Sequence, residues 1–156
     1  MSTRTVGLAT AVALLAVAWA CWPTEERAVR TRVTALVEAL NGDAGESDLQ
    51  RIARAAALAS ALTPDVVVVL DADRQLNGRE AVLGVARQWM QTRRETRVSL
   101  DALDVTVSAG RATADVVLRM DDERHEVRLQ LVKPESTWLV QRAEVVSALA
   151  RPPVGR

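Results

Sequence analysis

The chain has 156 residues, 49% of them apolar, and its 20 basic and 20 acidic side chains cancel. This length suits one domain with a short appendage, and such a domain can bury enough surface to fold without a disulfide or a metal. The charges form no basic stripe or acidic tail, which argues against nucleic acid or an anionic lipid surface as a partner.

The first 23 residues form a hydrophobic leader. Arg4 gives it a positive start, and the run of 17 residues from 6 to 22 carries no charge. A bilayer span needs ~17–25 apolar residues, so this run is at the lower limit. The acidic residues Glu25 and Glu26 that follow favour a domain outside the cytoplasm. We therefore interpret residues 1–23 as a signal peptide or a single membrane anchor and exclude them from the fold.

Three outcomes for this leader stay open. Residues 18–20, Ala-Trp-Ala, fit the small-x-small cleavage rule, and cleavage after Ala20 would give a secreted or periplasmic domain. Cys21 is similar to the acceptor cysteine of bacterial lipoproteins, although the residues before it fit that motif poorly. An uncleaved anchor, with Trp19 and Trp22 at the interface, would hold the domain at the cell membrane. Because Cys21 is the only cysteine, no internal disulfide can form.

Two helices are predicted next. Thr24 can cap the first helix, and Asn41 with Gly42 ends it. Its apolar stripe is Val29, Val33, Leu36, Val37 and Leu40. Ser47 and Gln50 have the spacing of a capping box for the second helix, which Pro64 is expected to close. The predicted buried stripe of the second helix is Leu49, Ile52, Ala53, Ala56 and Leu62.

A strand and a third helix follow. Val66 to Leu70 is a continuous aliphatic run, typical of a strand covered on both faces. The polar residues 71–75 predict a turn or a short hairpin. Asn77 and Glu80 then predict a second capped helix start. The predicted buried face of the third helix is Val82, Val85, Ala86 and Trp89.

From residue 96 the apolar period changes from 3.6 to 2. Four segments alternate apolar and polar residues, namely 103–107, 114–120, 127–131 and 138–142. This pattern predicts an antiparallel meander with one buried face. Arg119 and Arg128 fall on the opposite face and are expected to be solvated. Residues 150–156, which contain Pro152 and Pro153, are predicted to form a disordered tail.

The order of two helices, a strand, a helix and four strands resembles the nuclear-transport-factor-2-like (NTF2-like, or SnoaL-like) superfamily. The motifs that carry the resemblance are Leu-Thr-Pro-Asp-Val at 62–66, Gly-Arg-Glu-Ala-Val at 78–82 and Trp-x-Val-x-Arg at 138–142. It implies an α+β fold over residues 24–149, an NTF2-like cone in which a curled antiparallel sheet packs on three helices, preceded by an N-terminal hydrophobic helix. It also implies a homodimer, because sheets of this superfamily often pair face to face.

His125 is the only histidine, and it lies in phase with Val127, so it is placed to point into the cone. Enzymes of the resembled superfamily often pair such a histidine with an aspartate. Asp71 or Asp73, at the end of the first strand, would supply the carboxylate of a small lyase or isomerase. The simpler interpretation is that all three are solvated turn and hairpin residues. The tyrosine that ketosteroid-isomerase-like relatives use is missing from this chain.

Trp89 and Trp138 are expected to fill the core, and with His125 they are the candidates for lining a ligand pocket. One histidine and one cysteine cannot supply a zinc site, and the glycine patterns of phosphate and dinucleotide sites are missing, so no metal or cofactor is predicted. The leading hypothesis is a non-catalytic extracytoplasmic domain on a membrane leader. It would bind a small apolar ligand or a protein partner in a membrane complex.

Overall fold

The computed structural model describes residues 24–43, 45–92 and 97–149. These residues form three helices: α1 (Glu25–Leu40), α2 (Asp48–Ala61) and α3 (Arg79–Thr92). They also form six strands: β1 (Leu62–Val69), β2 (Gln75–Asn77), β3 (Val98–Ser108), β4 (Arg111–Met120), β5 (Glu123–Val132) and β6 (Leu139–Leu149). The predicted leader and tail lie outside the described residues. Within the described part, no helix has the length and apolarity to cross a bilayer.

The six strands form one sheet in the order β2-β1-β6-β5-β4-β3. The predicted meander from β3 to β6 is confirmed, with antiparallel pairing at every step. The expectation of a wholly antiparallel sheet is wrong, because β1 and β6 run parallel. The last strand enters the sheet between β5 and the first strand. Its direction relative to β1 is therefore set by the whole chain path rather than by a local turn.

The junction between α2 and β1 differs from the prediction. Helix α2 ends at Ala61, and Leu62 is its C-cap, so the helix stops before Pro64 rather than at it. Pro64 lies inside β1, in the interval between Leu62 and Val67 where the pairing with β6 shifts register. Proline has no N–H for a ladder hydrogen bond, so a register shift is where a strand tolerates it. The predicted short hairpin after β1 is confirmed by β2.

The helix starts follow local capping chemistry. Thr24 Oγ1 accepts a hydrogen bond from Arg27 N at 3.3 Å, and Ser47 and Gln50 form the predicted capping box. The predicted cap at Asn77 is wrong. Gly78, at φ +86°, precedes α3, and its carbonyl accepts from Val82 N at 3.2 Å. The left-handed φ required at this position explains the glycine.

The core lies between α1 and the inner face of the sheet. Its most buried α1 residues are Val29 and Val33, at 0% and 1% exposure. They pack with inward residues of the sheet, which follow the predicted alternation: Val105, Ala114, Val116, Leu118, Leu129, Leu131 and Val140. The period-2 pattern thus placed the buried face of the meander correctly, because each strand is covered on one side only.

The predicted buried stripe of α2 is wrong except for Leu62, which is buried but belongs to β1. Leu49 and Ile52 are 76% and 65% exposed. The buried residues of α2 are Leu58 and Ala61 instead. Alanine-rich α2 presents apolar side chains around most of its circumference, so periodicity could not identify the side that meets the protein.

The buried face of α3 is also shifted from the prediction. Val85 is 46% exposed, whereas Leu83 and Met90 are buried. Val82 and Trp89 are partly buried and pack against the main core, as predicted. The helix thus turns Leu83 and Met90 toward α2 and its other apolar edge toward the sheet.

The loop between α1 and α2 is fixed by two polar side chains. Asn41 Nδ2 donates to Val98 O at 2.9 Å, and Asn41 Oδ1 accepts from Val98 N at 2.6 Å. The side-chain amide thus makes the same pair of hydrogen bonds to the start of β3 that the backbone of a neighbouring strand would make. Arg54 of α2 pairs with Glu46 at 2.6 Å and donates to Asn41 O. Both members of the Arg54–Glu46 pair are largely shielded from water, so the loop is held rigidly beside α2.

Candidate functional site

The inner face of the sheet is filled by α1. Val29, Val33 and Val37 of this helix join Leu131 and Val140 of the sheet in one apolar cluster. In the superfamily that the sequence resembles, this is the face expected to line a pocket. Here its centre is occupied by aliphatic side chains that carry no hydrogen-bonding or titratable group. Chemistry that needs polar groups must therefore use the ends of the sheet or the helix surface.

Trp138 lies at one end of this core and is 3% exposed. Its indole Nε1 donates to Glu25 Oε2 at 2.9 Å, and Lys133 Nζ donates to Glu25 Oε1 at 2.7 Å. Arg32 Nε donates to Trp138 O at 2.9 Å. Hydrogen bonds from Lys133 and then Trp138 lower the pKa of the Glu25 carboxyl below its ordinary value. Trp138 thus packs as predicted, and its N–H already has a partner in α1.

Trp89 is partly buried on α3 and packs against both apolar clusters of the protein. It lies between the main core and the smaller cluster of Leu58, Leu83 and Met90 that joins α2 to α3. The structure therefore places Trp89 and Trp138 in packing positions. Within the described part of the chain, neither ring bonds to His125, the third candidate for a ligand pocket, and that prediction stays open.

His125 lies on β5 directly opposite Leu118 of β4, whose side chain is buried in the core. Its in-phase position is thus on the inner side of the sheet, near the end of the strand. A quarter of its side chain remains exposed, and Nε2 lies 3.8 Å from Glu123 Oε2. The imidazole is accessible to a ligand arriving at this end of the sheet.

Asp71 and Asp73 lie in the exposed turn between β1 and β2. Asp71 Oδ2 accepts from Arg74 Nε at 2.6 Å, and Asp71 Oδ1 accepts from Asp73 N at 3.1 Å. Hydrogen bonding to Arg74 and then to the Asp73 backbone lowers the pKa of Asp71. The strand order puts this turn two strands from β5, about 10 Å at ~4.8 Å per strand. The described contacts hold the Asp71 carboxylate within its own turn rather than against His125.

The outer face of the sheet carries paired charges. Asp101 sits where β3 shifts register against β4, and its carboxylate accepts from Arg119 Nη2 at 2.8 Å and Arg124 Nε at 3.1 Å. The two arginines are direct cross-strand neighbours, so Asp101 offsets their repulsion. Arg119, then Arg124, lower the pKa of Asp101. Arg128 pairs with Asp115 at 2.7 Å, and Arg119 and Arg128 are about half exposed, as predicted.

A groove of about 600 Å³ between α2 and α3 was missed by sequence reasoning. It is lined by small and apolar residues, with polar residues at one end: Asp48, Arg51, Ile52, Ala55, Ala56, Ala59, Leu83, Arg87, Met90 and Gln91. The one available signal was composition, because α2 has more apolar positions than a helix with one buried face needs. Apolar concavities of this kind are the default sites for ligands.

A metal site is not formed by the part of the chain that the structure describes, in which no three histidine, cysteine, aspartate or glutamate side chains cluster. The candidates are therefore the open end of the inner face at His125 and the groove between α2 and α3. The first offers one imidazole and one nearby carboxylate. The second offers apolar surface with charges at its rim.

Comparison with known proteins gives a family and a fold. A family model described as a SnoaL-like domain matches residues 33–142. No curated protein matches the chain. Among solved structures, the protein named "Putative Scytalone Dehydratase" from Novosphingobium aromaticivorans is 17% identical, with 85% of this chain and 94% of that chain covered at a TM-score of 0.65.

Two further solved structures have the same TM-score of 0.65. An NTF2-like protein of unknown function from Pseudomonas putida is 14% identical and covers 77% of this chain and 84% of its own. An NTF2-like protein from Cytophaga hutchinsonii is 10% identical and covers 81% of this chain and 99% of its own. At these identities the likeness shows the fold alone.

Proposed function

Since this chain belongs to the SnoaL-like domain family, as its resemblance predicted, we propose that it is a non-catalytic NTF2-like domain that binds a protein partner or a small apolar ligand. The observation that carries the proposal is the packing of the inner face. Aliphatic residues of α1 and the sheet fill the centre of that face and offer no hydrogen-bonding or titratable group there. The accessible apolar surface lies on α2 and α3 instead.

We further propose that the domain works outside the cytoplasm, held by the leader. The support is the sequence of residues 1–23, with one positive charge before a charge-free run and two glutamates after it. The domain follows the leader almost directly, since α1 begins at Glu25. A domain so placed is suited to contact other proteins of the same membrane.

The second candidate is a lyase or isomerase that uses His125 with Asp71 or Asp73. Its support is the position of His125 on the inner side of the sheet, beside buried Leu118, together with the fold shared with the Novosphingobium protein named as a dehydratase. Against it, Asp71 already accepts hydrogen bonds inside its own turn. An enzyme would have to release that carboxylate or use Asp73 or Glu123 in its place.

A gene-replacement experiment separates the two candidates. The chromosomal gene is replaced by one encoding His125→Ala, Asp71→Asn and Asp73→Asn together, and the strain is compared with a deletion strain. Each altered residue is accessible or in a turn, so the fold should persist, which circular dichroism of the purified variant verifies. The binding proposal predicts that the replacement behaves like the unaltered strain. A replacement that reproduces the deletion phenotype with folded protein would refute it.

The compartment is tested by fusing alkaline phosphatase, which is active only in an oxidising compartment, after Arg156. The proposal predicts an active fusion with the whole chain and an inactive one when residues 1–23 are removed. Equal activity of the two fusions, or none with the whole chain, would contradict the extracytoplasmic placement. Membrane fractionation of the first fusion then separates a retained anchor from cleavage after Ala20.

A further inference from the structure

The groove between α2 and α3 has an apolar floor made of small side chains. Ala55, Ala56 and Ala59 of α2 line it opposite Leu83 and Met90 of α3. Alanines at this spacing form a shallow channel along the helix, because positions three and four apart share one face. A second helix can approach such a channel closely, since no long side chain stands between the two axes.

The apolar surface continues beyond the groove. Leu49 and Ile52 on α2 are 76% and 65% exposed. From Leu49 to Ala59 the helix rises about 15 Å, or nearly three turns. Contiguous apolar surface of this kind on a water-facing helix marks a binding surface more often than chance exposure. Its length exceeds what a small ligand needs and suits a helix of similar length.

The rim of the groove is positively charged. It carries Arg51 and Arg87 against Asp48, a net charge of +1 from those three side chains. Arg51 pairs with exposed Asp48. Arg87 is exposed, and its guanidinium makes no hydrogen bond or ion pair with any residue that the structure describes. A ligand that places a carboxylate beside Arg87 would complement the charge of this rim.

We propose that the groove between α2 and α3 binds an amphipathic helix of a protein partner, with its apolar side chains on the alanine floor and an acidic side chain facing Arg87. This is the helix-in-groove mode of recognition. The inference rests on the proposed binding function and deepens it, because it names the surface and the chemistry of the partner. It also gives the exposed apolar residues of α2 a role.

Two other occupants fit less well. A second copy of the chain would bring an identical, net positive rim against Arg51 and Arg87, so like charges would meet. A lipid surface is planar, whereas the groove is a concavity that a helix can enter. Both remain as defined outcomes of the test.

The test uses the full chain in a phosphatidylcholine nanodisc and two stapled 18-residue helical peptides. Each peptide has a leucine and alanine face, and they differ only in carrying Glu or Lys beside that face. Fluorescence anisotropy of the labelled peptides measures binding, with empty nanodiscs as the blank. The Glu peptide should bind about tenfold more tightly than the Lys peptide, and Arg87→Glu should invert that preference.

Matched variants on α2 localise the binding. Ala56→Arg fills the groove and should abolish binding of the Glu peptide. Ala57→Arg adds the same side chain one position on, where the exposed residue does not line the groove, and should leave binding unchanged. Circular dichroism verifies that both variants fold. Equal binding of the two peptides, or equal effects of the two α2 variants, would overturn the proposal.

The alternative occupants give distinct results. Dimerisation by light scattering that is lost in Ala56→Arg would assign the groove to a second copy and reject the helix partner. Binding of the wild-type chain to protein-free vesicles of phosphatidylcholine and phosphatidylglycerol, lost in the same variant, would assign the groove to lipid. That result would also reject the helix partner. If the peptides fail while the gene replacement at His125, Asp71 and Asp73 still complements, only the groove assignment fails and the binding function stands.

Discussion

The exposure of α2 gives a prediction that separates the structure from the sequence pattern. The apolar period of the sequence predicts that Ile52 is buried and does not include Leu58 in the buried stripe. In the structure Ile52 is 65% exposed and Leu58 is 6% exposed. Truncating a buried leucine to alanine costs about 2–5 kcal/mol, because transfer and cavity terms add. We expect Leu58→Ala to lower the free energy of unfolding by about 3 kcal/mol, since Leu58 packs with Leu83 and Met90.

Ile52→Ala should cost far less. Only about a third of Ile52 is buried, so the substitution removes about 1 kcal/mol of hydrophobic stabilisation. The better helix propensity of alanine offsets about 0.4 kcal/mol of that loss. The net loss is therefore about 0.5 kcal/mol, and Leu49→Ala, at 76% exposure, should cost no more. Urea unfolding with unchanged m-values measures all three variants. A cost for Ile52→Ala near that of Leu58→Ala would refute the open α2 face and the groove built on it.

Three further predictions concern the turns and the ends of the sheet. Ala109, at φ +47°, precedes Gly110, so Ala109→Asn should give the preferred Asn-Gly hairpin and raise the free energy of unfolding by about 0.5–1 kcal/mol in thermal melts. Asn41→Ala removes both hydrogen bonds to Val98 and should cost about 2 kcal/mol in urea. The pKa of Glu25 in the folded state lies below its ordinary value of 4.5, so the ionised Glu25 stabilises the fold above about pH 4.5. That stabilisation is lost as the pH falls through the folded pKa, and Glu25→Gln should therefore flatten the loss of stability on the acid side.

Each of these predictions has a control. Asn77→Ala, whose side chain bonds only exposed Gln75, should cost less than about 0.5 kcal/mol, and a cost equal to that of Asn41→Ala would contradict the role of the Asn41 amide. A less stable Ala109→Asn variant would contradict a left-handed turn at that residue. The acid-side slope should persist in Glu135→Gln, which alters a carboxyl in the loop between β5 and β6, near Lys133. An identical flattening in that variant would contradict the Glu25 assignment.

The parts of the fold that sequence predicted are those set by local geometry. The side-chain oxygens of Thr24 and Ser47 cap their helices by accepting from the backbone N–H three residues on, and period-2 alternation fixed the inner face of β4 and β5. The parallel pairing of β1 with β6 was missed because those strands are about seventy residues apart and no local pattern records their relative direction. The family resemblance implied a curled sheet on three helices, which is confirmed.

The candidate site was harder to predict for the same reason. The bond from Trp138 to Glu25 spans 113 residues and has no sequence signature. The pairing of Asp71 with Arg74, three residues on, could have been anticipated from spacing, and it would have weakened the proposed acid–base role. The groove was not predicted because an alanine-rich helix has the same apolar sequence pattern whether its apolar side packs against the core or faces solvent.

The two exposed faces of the domain differ in what a partner would have to displace. On the outer sheet face, Asp101 and the arginines Arg119 and Arg124 already satisfy one another, so a face-to-face homodimer would have to desolvate paired charges. The homodimer that the resemblance implies stays a prediction. On the helix face, the apolar side chains of α2 gain from being covered, and so does Arg87, whose guanidinium has no ion pair among the residues that the structure describes. Association at the groove therefore desolvates fewer paired charges than association at the sheet, which is why we place the partner there.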